Sequence, residues 1–226
     1  MEKPRISPFT ALQYRDFRLL WIGLLISRIG SEMQVVAMNW QVYLLTGSAL
    51  SLGLIGLSRF IPVMIFSLPG GIAADRFDRK KIMLVSQVLM IIFSFILTIA
   101  TYLGNITPIH IYLLIAASSI ASTFDTPARQ SVVPYLVPKK HFINAVSLST
   151  IMWQTAVVLG PSVAGFIIAF YGVVAVYFIN TVSFLGVIIA LLSMSKIRAE
   201  ISKVTTFSFS SLVEGLNFVR RTPILY

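Results

Sequence analysis

Arg28 and Glu32 stand four residues apart in an otherwise apolar stretch. That spacing puts both on one face of a helix. Further helical steps along the face reach Val35 and Asn39, with Ser31 beside it. Arg59 interrupts a second apolar stretch. Ionisable groups deep in hydrocarbon are costly and normally face a partner or a wet cavity. Arg28 lies ~17 Å inward from a boundary near Phe17, and Glu32 ~6 Å further, at the helical rise. Arg59 lies ~24 Å back from Asp75 by the same arithmetic. Glu32 and Arg59 therefore reach similar depth on neighbouring antiparallel helices and are expected to pair, or to share Glu32 with Arg28. Such groups can bind a polar solute or pass a proton. The simpler alternative is a local Arg28–Glu32 pair that neutralises itself.

A third constellation is Asp125 with Arg129, one turn apart, after Ser118, Ser119, Ser122 and Thr123. Asn144, Ser147 and Gln154 follow in the next apolar tract, the last two on one face. The hydroxyls suit either a cavity wall or close helix packing. Nothing here resembles an enzyme site. There is no cysteine, no phosphate-binding glycine loop and no nucleophile elbow, and His110 and His141 are far apart in sequence. No cofactor or metal is implied, and no intramembrane enzyme is expected.

The elements that must position these residues are membrane helices. Hydrophobic residues make up 57% of the chain and charged residues 12%, against ~25% charged in a soluble domain. No Asp, Glu, Lys or Arg occurs in the 43 positions 82–124 or in the 54 positions 142–195. Each tract is long enough for two crossings of about 20 residues. Gly104 to Pro108 breaks the first tract, and Phe170-Tyr171-Gly172 the second. The spacing predicts six spans, at ~17–45, ~50–74, ~82–104, ~109–127, ~143–170 and ~173–195, with edges uncertain by ~2–4 residues. Residues 1–195 would form one all-α polytopic membrane bundle. Residues 196–226 would form a polar linker with a short amphipathic helix, Leu212 to Arg221.

Charge sets the orientation. Of the 18 Lys and Arg residues, 16 fall in the N-terminus, the second and fourth loops and the tail. Six crossings place all of these on one side, which the positive-inside rule makes cytoplasmic. Both termini are therefore expected in the cytoplasm. The net charge of +10 follows from topology. The basic residues form no stripe interleaved with aromatics, so no nucleic-acid partner is expected. The first sixteen residues lack an apolar signal region.

The loop between the second and third spans carries six charges in seven positions, Asp75 to Lys81. Its pattern Gly71-x-x-x-Asp75-Arg76-x-x-Arg79-Lys80 resembles the loop motif of the major facilitator superfamily, with Asp78 in place of the usual second glycine. Ala156-x-x-x-Gly160-Pro161-x-x-Ala164-Gly165 resembles that superfamily's antiporter motif, with alanine at two glycine positions. Asp125 to Gln130, Asn144-Ala145 and Trp40 to Ser48 are similar to the branch of drug–proton antiporters and siderophore exporters, such as enterobactin exporters.

The resemblance implies a transporter of about twelve helices in two halves, each half two inverted three-helix repeats. It implies proton-coupled efflux of an amphipathic drug-like or siderophore-like solute across a bacterial inner membrane. Asp75 and Arg79 would join Asp125 in a charge cluster, with Arg76, Lys80 and Arg129 beside it, that latches the cytoplasmic side. Gly160-Pro161 would kink the fifth span and free a carbonyl; Gly165 would permit close helix contact. A packing kink without a coupling role is equally compatible with these residues. With six spans rather than twelve, the chain is expected to be the N-terminal half. It would need a C-terminal half or, as the alternative, a second copy; a non-transporting fragment is the other reading.

Overall fold

A computed structural model describes residues 9–195; the expected linker and its amphipathic helix lie outside the described residues. A short 3-10 turn, Thr10–Gln13, leads into five helices long and apolar enough to span a bilayer. These are α1 (Arg15–Thr46), α2 (Ala49–Arg76), α3 (Arg79–Tyr102), α4 (Pro108–Leu136) and α5 (Phe142–Ser193).

Local chemistry places their ends. The turn after α1 closes on Gly47 at φ 62°, whose N–H donates to the Tyr43 carbonyl. Left-handed backbone of this kind suits glycine. Gly104 and Gly172 adopt the same sign, at φ 71° and 75°. All three lie in segments without charge. Asp78 caps α3, accepting from the Lys80 and Lys81 N–H groups at 2.9 and 3.3 Å. The residue that departs from the loop motif thus has a local role: it starts the third helix. At α4, the Thr107 side chain and His110 close a capping box, and Pro108 takes the first helical position.

One expected boundary shifts. α4 runs to Leu136, not to about 127, through Pro127 and Pro134. A proline removes one helical hydrogen bond without forbidding a long helix that its neighbours hold. The expected break at Phe170-Tyr171-Gly172 keeps its place: α5 is helical over 52 residues except at Gly172, where φ 75° and ψ 176° are non-helical. A straight helix of that length would measure ~78 Å, over twice the ~30 Å of a bilayer's apolar core. Contacts with α1 show the chain doubling back. On the first arm, the Leu148 carbonyl accepts from Trp21 and Gly160 abuts Ile29 and Glu32. On the second, Asn180 and Ser183 abut Gly30, and Gly186 abuts Gly23. The arms lie along α1 in opposite directions.

On α3 a polar-rich stripe turns inward beside Met83, Met90 and Leu97. α3 buries Ser86, Gln87, Ser94 and Thr98 while Val85, Ile92, Phe95 and Ile99 point outward. In hydrocarbon the apolar face needs no protein partner, whereas the polar face does. α2 buries only Ile55, Gly70 and Ala74. One apolar cluster, including Phe17, Leu20, Met83, Val132 and Leu191, lies toward the basic loops. A second, including Ala37, Val42, Leu97, Ile111 and Tyr177, lies toward the glycine turns.

Candidate functional site

Between these clusters is a cavity of about 240 Å³ walled by α1, α2, α3, α4 and the second arm of α5. Its charged lining is Arg28, Glu32, Arg59, Asp125 and Arg129. Position on the helices explains the convergence. The α1 residues Leu24, Ser27, Arg28, Ser31, Glu32, Val35 and Met38 recur at three- and four-residue steps, one stripe of a helix. On α4 the stripe is Ser118, Ser119, Ser122, Asp125, Thr126 and Arg129.

Arg28 Nε lies 3.4 Å from Glu32 Oε1. This is a charge contact without hydrogen-bond alignment, since the buried Arg28 Nε has no hydrogen-bond partner among the described residues. The guanidinium also sits over the Trp153 ring, 3.5 Å from its centre, where the ring's negative face attracts a cation. Asp125 is fully buried. It pairs with Arg129 and accepts from Gln87 Nε2 at 3.3 Å. Two polar partners are what a carboxylate needs to remain charged when shut off from water.

Several expectations require correction. Glu32 pairs with Arg28 on its own helix, because the i, i+4 geometry brings them together without help; Arg59 makes no ion pair among the described residues. It nonetheless lines the same cavity. Asn39 does not line it. Its side chain donates to the Val35 carbonyl at 2.7 Å, and the wall-facing α1 residue at that level is Met38. Gln154 is exposed on α5 and, like Ser147, is not part of the cavity lining.

The latch cluster is not assembled in this structure. Asp125 is not at the end of its helix but ~16 Å before it, because α4 continues for eleven residues. Its arginine is Arg129, not Arg79. Arg79 instead donates to the Ser131 and Ala74 carbonyls, at 3.2 and 3.4 Å, and sits 5.3 Å from the Tyr135 ring centre. Asp75 and Arg76 are exposed. Lys80 Nζ donates to the Met194 carbonyl at 3.0 Å, tying the start of α3 to the end of α5.

The motif glycines also sort differently. An added methyl at Gly160 would overlap Glu32 Cβ and lie 3.2 Å from the Ile29 carbonyl oxygen. Gly160 therefore sets the approach of α5 to α1 directly behind the Arg28–Glu32 pair. Gly165 and Gly71 meet nothing within 4 Å, so neither is a contact glycine here; the crowded neighbour of Gly71 is Gly70, where a methyl would lie 2.6 Å from the Thr123 carbonyl oxygen. That carbonyl is the one Pro127 leaves without its helical N–H. Pro161 is exposed.

Sequence reasoning missed the polar network beside the cavity. Gln34 Oε1 accepts from Ser94 Oγ at 2.7 Å and from Asn180 Nδ2 at 2.6 Å. Thr181 Oγ1 donates to Ser94 Oγ at 2.9 Å. Tyr177 Oη donates to Gln41 Oε1 at 2.7 Å, and Gln41 Nε2 to Thr101 Oγ1 at 3.3 Å. The network joins α1, α3 and the second arm of α5. The signal was available: Gln87, Ser94, Thr98 and Thr101 are spaced by seven, four and three on one α3 face.

Long apolar helices packed around a cavity of charged side chains fit a multi-pass integral membrane protein. The family model described as "Transmembrane secretion effector" matches residues 6–225. The chain belongs to that family, in the efflux branch of the major facilitator superfamily. It is 29% identical to an uncharacterized MFS-type transporter of Bacillus subtilis, over 88% of this chain and 48% of that protein. It is 28% identical to macrolide efflux protein A of Streptococcus pyogenes, over 80% and 44%. It is 24% identical to an enterobactin exporter of Shigella boydii, over 92% and 50%. The chain spans about half the length of the curated relatives it matches.

Proposed function

We propose that this chain forms one half of a proton-coupled exporter that moves an amphipathic drug-like or siderophore-like solute out of a bacterial cell by alternating access. Carrying this reading is the cavity in which Arg28, Glu32, Arg59, Asp125 and Arg129 converge inside an apolar bundle. Charges held at that depth have a cost that function, rather than stability, accounts for. The efflux protein and the siderophore exporter among its relatives support the outward direction.

In this reading the chain crosses the bacterial inner membrane six times, with both ends in the cytoplasm. The arms of α5 on either side of Gly172 are the fifth and sixth spans, and spans one to three and four to six are inverted repeats. A second six-span half, from the same gene product or from another copy, closes the cavity. Glu32 exchanges the proton while Arg28 holds it in place. The latch forms when Asp125 exchanges Arg129 for Arg79 at the cytoplasmic side, with Asp75 beside it; salt-bridge exchange of this kind is a bistable switch.

The test uses the protein as the cell produces it, reconstituted in liposomes with an imposed proton gradient, with salicylate and tetraphenylphosphonium each offered as the transported probe. Glu32→Gln should abolish gradient-driven movement while leaving the protein folded and inserted. Unchanged coupling and turnover in that variant would remove Glu32 from the mechanism.

A further inference from the structure

The charges lining the cavity do not cancel. Three guanidiniums, Arg28, Arg59 and Arg129, face two carboxylates, Glu32 and Asp125. Both carboxylates are already engaged on their own helices: Glu32 by Arg28, and Asp125 by Arg129 and Gln87. Arg59 has no ion pair among the described residues. Nε of both Arg28 and Arg129 is buried without a hydrogen-bond partner there.

Three of the wall's hydroxyls are already committed to backbone carbonyls. Ser31 donates to the Ser27 carbonyl, Ser122 to the Ser119 carbonyl and Thr126 to the Ser122 carbonyl. The charged donors left over are guanidinium N–H groups, which have no acceptor capacity and suit a planar anionic group; Ser27, Ser118 and Ser119 add neutral hydroxyls to the lining. Met38, Phe93, Leu97 and Leu114 supply apolar lining to the same cavity.

We infer that the cavity selects an amphipathic anion, a solute with a carboxylate or equivalent acidic group on an apolar body, rather than a lipophilic cation. The anionic group sits between Arg59 and Arg28, and the apolar body lies along the apolar lining. Arg59, exposed at the open side of the cavity and without an ion pair among the described residues, is the principal specificity residue. Glu32 opposes the anion by competing for Arg28. This assignment deepens the exporter reading and rests on it for the identity of the site.

The experiment measures equilibrium binding of radiolabelled salicylate to the purified protein in nanodiscs by scintillation proximity. Tetraphenylphosphonium serves as the cationic competitor. Salicylate should bind saturably. Arg59→Gln should weaken it about tenfold or more, as expected for loss of one charge-assisted hydrogen bond. Glu32→Gln should tighten it, by freeing Arg28, and this opposite sign does not arise from misfolding. Tetraphenylphosphonium should not displace the label.

Three results would overturn the inference: no saturable salicylate binding; unchanged affinity in Arg59→Gln, which would mean a carboxylate elsewhere in the protein neutralises that arginine; or displacement by tetraphenylphosphonium. Gradient-driven transport is read separately. Movement of tetraphenylphosphonium but not salicylate would keep the exporter reading and overturn the anion assignment. Saturable salicylate binding with the expected variant effects, but without driven movement of any probe, would support the assignment and sink the exporter reading.

Discussion

Asp125 shows how a single carboxylate is stabilised in this chain. It is fully buried and engaged by Arg129 and Gln87. Removing one member of a buried pair leaves the other charge uncompensated, at about 3–5 kcal/mol. Asp125→Leu and Arg129→Leu should each lower the thermal midpoint in detergent, and the double variant should cost less than the sum of the two. Strict additivity would show that the pair contributes nothing as a pair. Asp75, exposed at the loop, should behave otherwise. Asp75→Asn should leave expression and insertion intact while slowing gradient-driven transport, and full transport would take Asp75 out of the gate. The Arg28–Glu32 pair was legible from spacing alone, because i, i+4 neighbours meet on any helix. That Arg59 does not reach Glu32 was not, because depth arithmetic gives a level in the membrane but no rotation about the helix axis. Trp153 was missed for the same reason: its position over Arg28 depends on how α5 is turned.

At the scale of elements, glycine identity decides how closely the helices approach. Gly160 presses on Glu32 and Ile29, and Gly70 on the Thr123 carbonyl. Gly160→Ala should destabilise the bundle by about 1–3 kcal/mol, the usual cost of overpacking. Gly165→Ala, at a position with open space, should fall within about 0.5 kcal/mol of the parent. Chemical denaturation of both variants in the same detergent checks the contrast, and equal effects would show that this helix crossing is not set at Gly160. The motif pattern marked both glycines alike, since a motif records residue types and not distances. Helix starts follow local chemistry that the sequence reading did not use. Asp78, Thr107 and Pro108 are capping residues whose preference is local, and the structure uses each at a helix start. The end of α4 was missed because Pro127 is a stop signal in isolation, whereas here α4 continues through it to Leu136.

For the molecule as a whole, topology is the claim most open to test. The sequence contains no cysteine, so every introduced cysteine reports one position. Ser48→Cys, Asn105→Cys and Tyr171→Cys should react with a membrane-impermeant maleimide added to intact cells. Phe77→Cys and Lys140→Cys should react only after the membrane is opened. Labelling of Tyr171→Cys from the inside would mean that α5 does not turn at the outer surface and that the count of crossings is wrong. The same variants test the assignment of basic loops to the cytoplasm.

Composition, the charge-free tracts and the placement of lysine and arginine were enough to read a polytopic helical membrane protein with a basic side. These properties follow from the free energy of moving side chains between water and hydrocarbon, which is additive along the chain and needs no fold. The four-residue ion pairs were readable for a related reason: they act within one turn of backbone. Which helix faces meet was not readable. The Gln34–Ser94–Asn180 network, the crowding at Gly160, and the engagement of Asp125 by Arg129 and Gln87 rather than by Arg79 all depend on helix rotation. Rotation is set by how polar stripes on α1, α3, α4 and α5 satisfy one another, and that matching exists only once the helices are packed.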